Sequence, residues 1–105
     1  MAVGDKYYLG GRESYKNYFS YNGGLNVGTN GISFGFEVNM FKFISNDSET
    51  DDLIITFNDV PKTQTGLNGA ITLKPREVIN DLNIKATKIN LSRNSGSGNV
   101  RFLGV

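Results

Sequence analysis

The 105-residue chain contains no cysteine, no histidine and no tryptophan, and only two prolines. Without cysteine there is no disulfide framework, and without either ligand type there is no zinc finger. Cys-His and Ser-His-Asp nucleophilic machinery and histidine proton shuttles are excluded for the same reason. Charge of one sign is also missing. A formal net charge of +1 gives no whole-chain case for binding nucleic acid or an anionic membrane. Nowhere do 18 apolar residues run together, so no membrane-spanning helix is expected. Asp5 and Lys6 interrupt the apolar residues of Met1 to Leu9, so no secretory leader is expected either.

Glycine and asparagine, in contrast, are abundant. Thirteen of each fill a quarter of the chain, a balance that penalises helix interiors and favours turns. Hydrophobic residues at 38% and charged residues at 20% are enough for a folded core. The length suits one domain, and no repeat or linker divides it.

Strand periodicity is strongest over Gly31 to Phe43. Ile32, Phe34, Phe36, Val38 and Met40 take every second position, and Phe41 and Phe43 then continue in the opposite phase. Such a phase change inside a long strand predicts a β-bulge or a change of sheet. Leu82, Ile84 and Ala86 alternate in the same way, and Ile89 and Leu91 shift phase, predicting a second long strand kinked near Thr87. Leu53 to Phe57, Ala70 to Leu73 and Val100 to Val105 read as shorter strands. Pro75 to Leu82 is the one helical candidate. The pairs Asn22-Gly23, Asn30-Gly31 and Asn68-Gly69 read as turns, and Asn94 to Gly98 reads as a hairpin loop. Together these signals predict an all-β domain, an antiparallel seven- to eight-stranded sandwich of jelly-roll-like form. Residues 1–21 read as an aromatic arm or edge strand and residues 22–105 as the sandwich.

Charge divides unevenly along the chain. Residues 1–60 hold four basic and eight acidic side chains, and residues 61–105 hold seven basic and two acidic. Complementation within one fold is the simpler reading, and head-to-tail contact between copies is the alternative. Within the acidic half, Asp47, Glu49, Asp51 and Asp52 resemble the start of a calcium loop. They lack the glycine and the final glutamate that such a loop needs. Neither a metal nor a cofactor is therefore expected, and the four carboxylates do not suffice for a glycosidase pair. The basic residues Lys85, Lys88, Arg93 and Arg101 have mixed strand parity, which argues against a nucleic-acid face.

All five tyrosines lie in the first 21 residues. Tyr7, Tyr8, Tyr15, Tyr18 and Tyr21 are joined there by Phe19 and Arg12. Alternation cannot bury every ring on one side, and Tyr and Arg are common in protein interfaces. These seven residues are the candidate partner interface, with a glycan-binding platform as the alternative.

The C-terminal third carries a resemblance. Ile71 to Val78, Asn83 to Leu91, the glycine-serine loop and Asn99 to Val105 together look like the small β-sandwich accessory proteins of tailed bacteriophage virions. Arg76 stands where such a turn usually has glycine. The resemblance implies a non-enzymatic virion component, made in the host cytoplasm: a capsid decoration protein, head fibre base or tail accessory protein. Its partners would be other virion proteins or copies of itself. Circular dichroism provides the first test of the fold class, with less than about 15% helix expected; a helix content near one third contradicts it.

Overall fold

In the computed structural model residues 17–105 are described, and they contain strands and turns but no helix. Six strands follow in order: β1 Phe19–Leu25, β2 Gly28–Asn46, β3 Leu53–Phe57, β4 Ile71–Leu73, β5 Val78–Arg93 and β6 Gly98–Gly104. They form one antiparallel sheet in the order β1-β6-β2-β5-β3-β4. The all-β expectation holds at this level, with six strands in a single hydrogen-bonded sheet among the described residues.

Two long strands organise it. β2 and β5 pair from Gly28↔Arg93 to Ser33↔Lys88, and again from Val38↔Ala86 to Ser45↔Val78. Between the two stretches β2 advances five residues, Ser33 to Val38, while β5 advances only two, Lys88 to Ala86. Surplus residues on one strand bend a ladder sharply. Gly35 supplies the backbone for this bend at φ 81°, a region that side chains disfavour. The phase changes in the sequence therefore mark a real irregularity, although in β2 it begins earlier than Phe41.

The ribbon's two stretches gain different neighbours. The first half of β2 pairs with β5 alone, while its second half also pairs with β6; β3 joins the last residues of β5. Phenylalanines fill the space between the two parts of the sheet. Phe41 lies 5.2 Å from Phe57 of β3, ring centre to ring centre, and Phe34 lies 5.9 Å from Phe102 of β6. Val38, Phe41, Ile44, Ile55, Ile89, Leu91, Val100 and Phe102 are fully buried. Of the alternating set, Phe34 and Val38 are buried, whereas Ile32, Phe36 and Met40 are only half-buried. The chain end is held in place as well, since the Val105 carbonyl accepts from the N–H groups of Asn39 and Met40.

Several local expectations are corrected. Asn22-Gly23 makes no hairpin, because Asn22 and Gly23 pair with Arg101 and Val100 in the middle of β1. Asn30-Gly31 lies inside β2, opposite Leu91 and Asn90. Only Asn68 keeps the left-handed backbone, at φ 56°. The loop from Asn94 is not a hairpin, because β5 and β6 are not neighbours; it carries the chain across to the far side of β2. Residues 75–82 turn and then extend into β5. There the Glu77 N–H donates to the Lys74 carbonyl (3.0 Å), with Pro75 and Arg76 between them and Arg76 at φ 64°. That is a type II turn, with arginine in the glycine position.

Phe41→Ala should cost about 3–5 kcal/mol in urea denaturation, because the ring is fully buried among three others. A loss below about 1 kcal/mol would place that face in solvent.

Candidate functional site

β2 and β5 carry polar residues inward at the end of the molecule remote from the bend. Asn46 shares strand parity with buried Ile44, and Arg93 shares it with buried Ile89 and Leu91. Both polar side chains are 0% exposed. Buried polar groups need partners, and here every donor has one. The Arg93 Nε donates to the Leu25 carbonyl (3.1 Å), and Nη1 donates to the carbonyls of Asp51 and Asp52 (both 3.2 Å). Its Nη2 donates to Asn46 Oδ1 (3.0 Å) and the Gly98 carbonyl (3.3 Å). Asn46 Nδ2 in turn donates to the carbonyls of Asp51 (2.9 Å), Leu73 (3.0 Å) and Lys74 (3.1 Å). Three carbonyls on one nitrogen and donors on the oxygen fix the amide's orientation. Burial holds the Arg93 guanidinium below its usual range, and the Asp51 charge opposes that shift.

This arrangement accounts for the acidic loop. Its backbone carbonyls at 51 and 52 face Arg93, so its side chains point outward, where they meet the basic half of the chain. Asp47 pairs with Arg101 (2.8 Å), Glu49 with Arg76 (3.1 Å) and Asp52 with Lys74 (3.3 Å). Asp51 accepts from Thr50, from Ser95 and from the Ser97 N–H. The uneven charge of the sequence is thus complemented inside one fold. Among the described residues no cluster of three or more acidic groups is arranged for a metal ion. The Asn94–Gly98 crossing packs tightly on the same loop. A Cβ on Gly98 would meet Ser48 Cα at 2.7 Å, and Gly98 sits at φ 153°.

The basic set does not form one surface. Arg93 is the buried node, Arg101 lies over the Phe43 ring (5.6 Å) and pairs with Asp47, and Lys85 and Lys88 line separate cavities.

The aromatic candidates separate by parity. Phe19 and Tyr21 are half-buried and stack on Phe102 at 5.9 and 5.3 Å, so in this fold they anchor β1. Tyr18, just before the strand, is 70% exposed. Tyr7, Tyr8, Arg12 and Tyr15 lie outside the described residues. Sequence reasoning treats Arg93 as a surface cation and passes over Asn46, yet the inward parity of both was a usable signal. A cavity of about 390 Å³ lies between the 58–70 loop and β5. It too has no counterpart in the sequence reading, since its walls come from residues far apart in the chain.

No family model, no curated protein and no solved structure matches this chain.

Three outcomes are expected at this end of the molecule. Arg93→Lys should cost about 2 kcal/mol or more, because an ammonium replaces five planar donors with three and leaves buried carbonyls unpaired. Asn46→Asp should also destabilise, although it places a carboxylate beside Arg93, because the three carbonyls that now accept from Nδ2 would face an anion. Denaturation of both variants checks this, and wild-type stability in either contradicts the network. Asp47 supplies the third. Its carboxyl is held below 3.8, first by the Ser45 hydroxyl and then by Arg101, with burial opposing. A depressed folded value means that its contribution is complete above the ordinary carboxylate value. The contribution fades as pH falls through the lower folded value, so Asp47→Asn should flatten the acid limb of a stability–pH curve.

Proposed function

We propose that this chain is a non-enzymatic structural protein acting through protein–protein contact. The role implied by the resemblance is that of a bacteriophage virion accessory protein, of capsid decoration or tail accessory type. The finer fold reading belongs with it: a jelly-roll-like sandwich, supported by two long strands that change register midway and by the phenylalanines between the two parts of the sheet.

One observation carries the functional reading, the edge position and composition of β1. β1 is the outermost strand at its end of the sheet among the described residues, and it contains neither a charge nor a proline. Sheet edges that must stay solitary usually carry such blocks, and an unblocked edge is suited to a partner. The aromatic segment leads directly into this strand. Phe19 and Tyr21 are secured on Phe102 while the Tyr18 ring faces solvent, so the anchor and the contact-forming part are adjacent but distinct. Tyr and Arg typically dominate the binding energy of protein interfaces.

The experiment is removal of residues 1–16 combined with Tyr18→Ser, which retains the anchors Phe19 and Tyr21. The truncated protein should keep its β spectrum and cooperative melt and lose association with its partner, whether a second copy or a shell or tail protein. Unfolding of the truncated chain would make the segment integral to the fold. Undiminished association would place the interface elsewhere, and binding on a glycan array would favour the tyrosines as a sugar platform.

A further inference from the structure

We infer that a polar cavity on the sheet face opposite buried Ile89 and Leu91 binds a small oxyanion, the carboxylate or phosphate group of a low-molecular-weight ligand. Its floor is regular sheet. Thr29 and Ser92 are register partners on β2 and β5, and Asn90 and Thr56 are partners on β5 and β3. Strand alternation therefore delivers four polar side chains to one face. All four line a cavity of about 260 Å³ whose other wall is the 58–62 segment. Thr56 is only 2% exposed and Ser92 1%, so their hydroxyl protons need acceptors. Asn90 Nδ2 donates to Thr56 Oγ1 (3.2 Å) and to the Asn58 carbonyl (2.9 Å). Thr56 is thus an acceptor there, and its own proton meets no acceptor among the described residues. Thr29 and Ser92 share one hydrogen bond (2.9 Å), so whichever hydroxyl donates, the other keeps a proton to give.

Charge adds to this surplus of donors. Gly31 faces Asn90 across the β2–β5 ladder, and a Cβ there would meet Lys88 Cε at 2.8 Å and Asn90 Oδ1 at 3.2 Å. Glycine leaves the room in which the Lys88 stem lies across the sheet beside Asn90. The Lys88 ammonium makes no ion pair among the described residues. Lys62, also in the lining, spends one N–H on Asn94 Oδ1 (3.2 Å) and has two left. Asp59 brings a carboxylate to the same lining and pairs with neither lysine, so two cations stand against one anion. Water can take the hydroxyl protons, but an oxyanion answers the protons and the excess charge together. The apolar residues of the lining are Val60 and Pro61, which offer an apolar ligand little. The site does not rest on the proposed contact role, because β1 contributes nothing to the lining.

Titration of the full chain at low salt with sodium phosphate and, separately, sodium acetate tests the inference, followed by the amide NMR signals of Thr56, Asn90 and Ser92. Glucose serves as the neutral control. At least one anion should shift these signals to saturation, with a Kd of about 1 mM or below. Saturation by phosphate alone assigns the site to phosphate groups, and saturation by acetate alone assigns it to carboxylates. Lys88→Met and Thr56→Val should each weaken binding about tenfold or more. Asp59→Asn removes a like charge and should tighten it, while Lys85→Met, in a different cavity, should leave it unchanged. If Thr56→Val does not fold, Lys88→Met decides alone. The inference is overturned if neither anion saturates, if Lys88→Met binds as the wild type does, or if Asp59→Asn weakens binding. Equal shifts with glucose overturn it as well.

Discussion

A single guanidinium fixes the closed end of this molecule. Five planar N–H donors of Arg93 meet five acceptors, contributed by the last residue of β1, the last residue of β2, the loop at 51 and 52, and the first residue of β6. The plane of the donors sets where those segments end relative to one another, because shifting one removes a bond from a group that water cannot reach. Asn46 extends the same node to the end of β4. No carboxylate oxygen of the described residues bonds to the guanidinium. The cation is solvated by carbonyl dipoles, with Asp51 supplying the nearby negative charge.

The opposite end depends on a bend. Hydrogen bonding alone would leave β2 and β5 as a long, flat ribbon with one face exposed. Five residues of β2 set against two of β5 turn that ribbon, and Phe34, Phe41, Phe57 and Phe102 pack in the space the turn encloses. The sequence is most legible here. Alternation locates both long strands and their irregularities, and a compact β-branched and aromatic run locates β3, because those signals are local. It fails where the deciding partner is distant. Asn-Gly permits a positive φ but does not impose one, and pairing of Asn22 and Gly23 with β6 overrides the turn. Likewise, adjacent strands in sequence imply a hairpin, yet β6 finds its neighbours in β1 and β2. For Arg93 and Asn46 chemical type and strand parity conflict, and parity describes the result.

The fold also separates the groups it consumes from those it leaves outside. The acidic loop is held by its own carbonyls, and its carboxylates are engaged by basic residues from the C-terminal half and by neighbouring hydroxyls. Phe19 and Tyr21 are taken up as anchors. Among the described residues four large apolar or aromatic side chains stay exposed: Tyr18 ahead of β1, Val27, Leu67 and Val78. Of these, Tyr18 is the one on which the proposed contact role draws.

The claim that one buried polar node closes the structure is tested most directly by a double-mutant cycle between Arg93 and Asn46. Arg93→Met, Asn46→Leu and the double variant are compared with the wild type by chemical denaturation. If the two side chains act as a unit, the double variant is less destabilised than the sum of the singles by about 1–3 kcal/mol. Additivity within about 0.5 kcal/mol would show that each residue serves its own carbonyls independently, and would contradict the account.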